Sequence, residues 1–302
     1  MVKNLVLENI SVGFKLPQGV FYAVDDVSLN LHGGNITAII GESGCGKSVL
    51  GQAILNILPS GVVKKGRVLY NGEQVKKILS AFGIIPQNPS ESLNPVRKIG
   101  KQMQDILAVH NITDGDNSYK KQCLHLFGLQ EAERVMAAYP HELSGGMLQR
   151  VLCAMAVSSK PEWVLADEPT KGLDEQVGAV VRKNLLTIKL DLHLSMLIIT
   201  HDIALAQEVC DDVLVMYAGQ VLEHNADIWH KPLHPYTKGF LQALPKNGLQ
   251  VIPGKAPVPG ESFTGCKFAA RCPYCTTRCK EEMPAMQQVG NAEVRCFLYA
   301  EG

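Results

Sequence analysis

No apolar run in this chain approaches the ~18–20 residues that a bilayer span needs. The longest near-candidate, Val151 to Val157, is seven residues long, so no transmembrane helix is expected. Net charge is missing too. Lys+Arg and Asp+Glu both number 29, so no global field draws the protein to anionic partners, and no nucleic-acid partner is expected. The opening MVKNLVLENI lacks a charged segment followed by an apolar one, and the expectation is a soluble, cytosolic chain. Internal repeats and low-complexity tracts are also absent. What is present, 46% apolar and 19% charged residues over 302 positions, excludes a disordered chain and suits one large or two medium domains.

The first 240 residues alternate short apolar runs with helical patterns, the mark of a layered α/β domain. Residues 4–14 and 20–31 alternate like an antiparallel pair. Residues 35–40 read as a buried strand that enters a glycine-rich turn and then a helix over about 47–57. Residues 163–166, 196–200 and 213–216 read as further strands. Between Pro86 and Pro140 the pattern turns helical, most clearly in LNPVRKIGKQMQDILAV and YKKQCLHLFGL. After Leu244 the texture becomes rich in Pro and Gly, as in KNGLQVIPGKAPVPGES, and reads as a linker or irregular extension. The expected division is a domain over 1–244, with a helical part at about 88–158, and an extension over 245–302.

Gly41-Glu42-Ser43-Gly44-Cys45-Gly46-Lys47-Ser48 matches G-x-x-x-x-G-K-[ST] between a predicted strand and a predicted helix. Glycines let successive N–H groups point inward as an anion nest at a helix N-terminus. Lys47 is placed to reach the β- and γ-phosphates of ATP, and the Ser48 hydroxyl to ligate Mg²⁺. A second apolar strand, Trp163-Val164-Leu165-Ala166, ends in Asp167-Glu168. Asp167 there serves the metal, and Glu168 is placed to polarise an attacking water. A helix-capping acidic pair would explain one carboxylate, but not this pair in a chain with a phosphate loop.

Leu143-Ser144-Gly145-Gly146-Met147-Leu148-Gln149-Arg150 resembles the LSGGQ signature of ABC ATPases. Gln87 in IIPQNP resembles that family's Q-loop, Gly172-Leu173-Asp174 its D-loop and His201 in IITHD its switch histidine. The resemblance implies a P-loop cassette with a RecA-like mixed sheet core, an antiparallel β subdomain and a helical subdomain. It implies that Ser144, Gly145, Gly146 and Asp174 face nucleotide at a dimer interface and that Gln87 sits by the metal as sensor and coupling element. Glu168 would then be the base, and His201 would hold γ-phosphate and water in register. The A-loop aromatic, which stacks on adenine in this family, has two candidates. Phe14 fits if a few residues are inserted after it, and Tyr22 is the alternative; both also suit a core.

The stretch Asn88-Pro89-Ser90-Glu91-Ser92-Leu93-Asn94-Pro95 and the tail PGKAPVPGESFTGCKFAARCPYCTTRC resemble the peptide/nickel importer branch. Asn88 replaces the usual Asp, Met147-Leu148-Gln149 the plain signature ending, and Lys171-Gly172 the usual small pair. The branch implies a peripheral subunit at the cytoplasmic face of the membrane. Its partners would be a second, related ATP-binding subunit in a heterodimer, two permease subunits and an extracellular or periplasmic substrate-binding protein. The form of the signature and the short segment after Asn71 lean to nickel or a metal chelate as cargo, with di- or oligopeptides next. A soluble ABC ATPase outside transport is the rival class, but such proteins carry two cassettes or long coiled-coil inserts. A sensor with regulatory ATP binding is a further rival, and intact Glu168 and His201 count against it.

Of nine cysteines, five crowd into the last 37 residues. In a reducing compartment such a crowd reads as a metal site before it reads as disulfides. Cys266, Cys272, Cys279 and Cys296 could hold Zn²⁺ or an iron–sulfur cluster, and the family resemblance implies a [4Fe–4S] cluster. The tail carries few large apolar residues, so it is expected to bury little surface unaided.

Overall fold

In a computed structural model, the chain is described over residues 3–17, 19–74, 78–115, 117–244, 248, 250–258 and 261–300. It divides into two compact units. The first comprises Leu5–Leu31, Thr37–Gln74 and Cys210–Gly302; the second comprises Met1–Asn4, His32–Ile36 and Val75–Val209. The linker expected after Leu244 falls partly on 245–247, 249 and 259–260, outside the described residues.

The first unit begins with two long antiparallel strands, β1 (Leu5–Leu16) and β2 (Gly19–Leu31). Leu5, Leu7, Ile10 and Val12 on β1 and Val24, Val27, Leu29 and Leu31 on β2 are buried, an alternation whose phase changes between Leu7 and Ile10 and between Val24 and Val27. The ladder slips between Leu7 and Gly13, where Ile10, Ser11, Val12 and Gly13 are buried in succession. β3 (Ile36–Ile40) follows, then α1 (Lys47–Leu55), β4 (Val63–Tyr70) and β5 (Glu73–Gln74). The antiparallel sheet of this unit runs in the order β2-β1-β4-β5. Gly66 faces the bulge with φ 80°, and a Cβ there would lie 2.3 Å from Glu8 O.

The second unit holds three parallel strands and most of the helices. In chain order these are β6 (Phe82–Ile85), α2 (Pro89–Ser92), α3 (Ile99–Val109), α4 (Ser118–Leu126), α5 (Ala132–Ala137) and α6 (Gly145–Ser158). Then come β7 (Trp163–Asp167), α7 (Glu175–Leu190), β8 (Ser195–Ile199) and α8 (Ile203–Val209). β6 pairs with β7 and β7 with β8, all parallel. β8 is buried at every position, the pattern of a strand covered on both faces. Gly83 lets β6 approach α6, because a Cβ there would fall 2.2 Å from Ala156 O.

The chain then returns to the first unit as β9 (Asp212–Tyr217), β10 (Gln220–Asn225) and α9 (Pro235–Gln242). It ends with α10 (Thr277–Glu281), β11 (Gln287–Val289) and β12 (Ala292–Val294). β3 pairs parallel with β9, β9 antiparallel with β10, and β10 antiparallel with β12. The extension is not the weakly buried tail that its composition suggests. Phe268 is buried edge-on against Tyr217 and Tyr236, with both ring centroids at 5.4 Å. Lys267 pairs with Asp25 at 2.7 Å, and Arg295 donates to Asp26 O at 3.1 Å. One buried ring and three buried cations (Arg271 is the third) do what many apolar residues would do elsewhere.

Candidate functional site

The residues expected to be functional are divided between the two units. In the first, β3 delivers the chain into residues 41–48, and α1 starts at Lys47. Gly41, Gly44 and Gly46 have φ of 150°, 79° and 107°. A Cβ at Gly41 would fall 2.2 Å from Met216 O, and one at Gly46 would fall 2.1 Å from Ala23 O. Gly44 has open space, so there only the backbone angle asks for glycine. The first turn of α1 has no side-chain cap and no acidic residue, which suits an anion at its positive end. Lys47 Nζ donates to Gly41 O at 2.9 Å and to Glu42 O at 3.1 Å, closing the loop on itself. Burial pushes the Cys45 thiol up, leaving it a neutral packing group beside Lys47.

Outside residues hold this loop. The Glu42 N–H donates to the Tyr236 hydroxyl at 3.1 Å, and Arg271 Nη1 pairs with the Glu42 carboxylate at 3.1 Å. A cavity of about 270 Å³ opens beside Gly44, and Tyr22, Phe21 and Ala218 are among its lining residues. Phe14 is not in that lining; it pairs with Phe21 across the β1–β2 ladder. Gly13 leaves room for the neighbouring ring, since a Cβ there would lie 3.2 Å from Tyr22 Cε1.

In the second unit, β7 carries Asp167 at its last position, and Glu168 follows in a left-handed conformation with φ 49°. Such a backbone costs a non-glycine residue ~1–3 kcal/mol and persists where the surroundings dictate it. Here the Glu168 N–H donates to Ile199 O at 2.7 Å, and Oε2 meets His201 Nδ1 at 2.6 Å. Facing a carboxylate, Nδ1 is the donor, so Nε2 is the nitrogen presented on the other side of the ring. Glu168 is buried, while the His201 side chain is 58% exposed. Asp202 fixes the following turn: its Oδ2 accepts from Thr170 Oγ1 at 3.0 Å and its Oδ1 from the Leu205 N–H at 3.0 Å.

Gln87 lies exposed just past the end of β6. Ser144 caps α6, its Oγ accepting from the Met147 N–H at 3.3 Å, and Ser144 and Gly145 are exposed at that helix start. Asp174 caps α7 by accepting from the Val177 N–H at 2.9 Å. Gln149, a departure from the plain signature, is buried and donates to Pro169 O at 3.3 Å. It ties α6 to the turn after Glu168.

In the extension, Cys266, Cys272, Cys279 and Cys296 lie close enough for their charges to act on one another. Burial, with the neighbouring thiols, pushes Cys266 up to about 11. Among the described residues, however, no group of three or more His, Cys, Asp or Glu is arranged to hold a metal ion. The expected iron–sulfur or zinc centre therefore finds no support in this arrangement. The Ser48 hydroxyl in one unit and the Asp167 carboxylate in the other are each a hard oxygen donor of the kind Mg²⁺ takes.

Sequence reading missed Tyr236, Lys267, Arg271, Gln149 and Asp202. For Lys267 and Arg271 there was one signal, two cations flanking an aromatic in KFAAR within an otherwise Pro/Gly-rich segment.

Residues 24–171 match the protein family described as ABC transporter, and residues 222–279 match the oligopeptide/dipeptide transporter, C-terminal region. The oligopeptide transport ATP-binding protein OppD of Haemophilus influenzae is 34% identical over 316 residues, covering 98% of this chain and 98% of that protein. The dipeptide transport ATP-binding protein DppD of Escherichia coli is 36% identical over 308 residues, covering 95% and 94%. Among solved structures, cbiO1 from Clostridium perfringens, part of the ABC transporter complex cbiONQ, superposes with a TM-score of 0.63 at 26% identity, covering 76% of this chain and 90% of that one.

Proposed function

Because the chain belongs to the ATP-binding subunits of ABC transporters, we propose that it hydrolyses ATP to drive the import of di- and oligopeptides. The observation that carries the peptide reading is the match to peptide transport ATP-binding proteins along nearly the full chain, C-terminal region included. The lean toward nickel finds no support among these relatives. It rested on segments of the ATPase, and cargo meets the binding protein and the permeases instead.

Each residue set then has a task. Backbone N–H groups of residues 41–48 and the Lys47 ammonium take the β- and γ-phosphates, and the base stacks on Tyr22 rather than Phe14. Ser48, Asp167 and Gln87 are the residues that would hold Mg²⁺, which when bound would offset the phosphate charge. Glu168 accepts the proton of the attacking water. His201, donating to Glu168 through Nδ1, fixes that carboxylate and turns Nε2 to the γ-phosphate. Ser144, Gly145 and Gly146 present a helix start to nucleotide on a partner subunit, with Asp174 beside it. We assign the cassette to 1–244, with its helical part at about 88–158, and the extension to 245–302. The partners are a second, related ATP-binding subunit, two permeases and a substrate-binding protein, with this subunit on the cytoplasmic face. No helix among the described residues is long and apolar enough to cross a membrane.

Uptake of labelled dipeptides, oligopeptides and nickel by a host lacking this chain tests the reading. Peptide uptake restored by the wild type and not by Glu168→Gln is the expected result. Restoration of nickel uptake alone would return the reading to metal, and restoration of neither would point to an ATPase outside transport.

A further inference from the structure

The cavity beside Gly44 has walls from two distant parts of the chain. One wall is β2 and the turn after β9, contributing Tyr22, Asp25 and Ala218. The other is the extension, contributing Glu261, Phe263 and Lys267. At about 270 Å³ the cavity lies just under the ~300 Å³ at which ligand pockets begin. That suits a base and its sugar, with the phosphates continuing onto the loop that Gly44 belongs to.

Lys267 joins the two walls. Its ammonium is buried, pairs with Asp25 at 2.7 Å and donates to Ala218 O at 2.9 Å. It also lies 5.7 Å from the centroid of the Phe263 ring. One cation thus fastens an aromatic of the extension to β2 and to the β9 turn. Phe263 is only half-buried, so its ring is not consumed by the core.

We propose that the extension completes the nucleoside pocket in cis: Phe263 is a base-contacting wall facing the same cavity as Tyr22, and Lys267 is the positioning residue that holds it there. The inference rests on residues 41–48 being the ATP site. An aromatic on each side of a purine gives stacking that either ring alone does not, and it is indifferent to the phosphates. The extension is then part of the binding site and not an appendage to it.

Calorimetric titration of the full chain with ATP and with inorganic tripolyphosphate separates the base from the phosphates. Phe263→Ala is expected to weaken ATP at least about fivefold while leaving tripolyphosphate unchanged, and Phe263→Tyr to restore ATP binding. Lys267→Met is expected to weaken ATP in the same base-dependent way, and Lys267→Arg to recover part of it. Unchanged ATP affinity in Phe263→Ala would overturn the proposal. So would an equal loss of ATP and tripolyphosphate, because the change would then act through the phosphate loop or the fold. A wild type that binds tripolyphosphate as tightly as ATP would overturn it as well. A wild type that binds neither would overturn the ATP site itself, a failure seen without any variant.

Discussion

Arg271 Nη1 lies 3.1 Å from Glu42 Oε2, across a sequence separation of 229 residues. The guanidinium also donates to the Tyr217 hydroxyl at 3.3 Å and through Nε to Pro253 O at 3.1 Å, and it lies over the Phe268 ring. Glu42 is the second residue of the phosphate loop, so the loop is braced by a side chain from the extension. Arg271→Met removes the ion pair and two hydrogen bonds but keeps much of the apolar volume. It should lower the unfolding free energy by ~1–3 kcal/mol, since Glu42 keeps some access to water. Urea unfolding checks this, and an unchanged midpoint would show that the brace contributes nothing.

Glu168→Gln keeps the shape and a hydrogen-bonding group toward His201 but removes the proposed proton acceptor. Turnover should fall ~10²–10⁴-fold with ATP binding retained, as expected for loss of a general base. Steady-state hydrolysis and nucleotide retention on gel filtration measure the two effects separately. Loss of ATP affinity with unchanged turnover per bound nucleotide would assign Glu168 a different role.

His224 on β10 lies between Asp212 on β9 (3.5 Å) and Glu293 on β12 (3.2 Å). Burial alone would lower its pKa, yet the bonds to the two carboxylates raise it to about 9. An unfolded imidazole titrates near ~6.5, so the folded chain binds this proton more tightly. Its contribution, at most about 3 kcal/mol, is complete below ~6.5 and is lost as pH rises through about 9. The stability advantage of the wild type over His224→Gln should therefore shrink between pH 6.5 and 9.5. Parallel pH profiles for the two proteins would refute this.

Phe268→Ala opens a cavity between Tyr217 and Tyr236 and should cost ~3–5 kcal/mol. Limited proteolysis should then cut the extension first. A tail held only by its cysteines would be indifferent to this change.

Much of the phosphate loop was legible because its glycines answer to local geometry: Gly41, Gly44 and Gly46 all have positive φ. The strand at Trp163 and its acidic ending were legible for the same reason, a short apolar run with one outcome. Helix starts were less so. The run beginning LNPVRK reads as helix from Leu93, yet α3 starts at Ile99, after Gln102 has bonded the Asn94 and Arg97 carbonyls into a turn. That Tyr22 and not Phe14 lines the cavity beside Gly44 was beyond the sequence, because the β1–β2 ladder slips at Val12/Gly13 and a one-residue slip changes the face of every later side chain. The anchoring of the extension was hidden too. Arg271, Lys267 and Arg295 read as solvated charges until their partners, 229 to 269 positions away, are in place.

The hairpin β11–β12 has a consequence for self-association. β12 pairs with β10 at Glu223 and His224, so the peptide groups of β10 on that side are met by a strand of the same chain. A sheet margin left bare is a template for a neighbouring molecule's strand. The hairpin acts as a plug: among the described residues the three-residue β11 is outermost on that side, and a strand that short offers a poor landing strip. A chain shortened to end before Gln287 would keep every residue of the phosphate loop, Glu168 and His201, and would still expose β10. It should be recovered as oligomers that light-scattering detects, where the full chain gives none by this route.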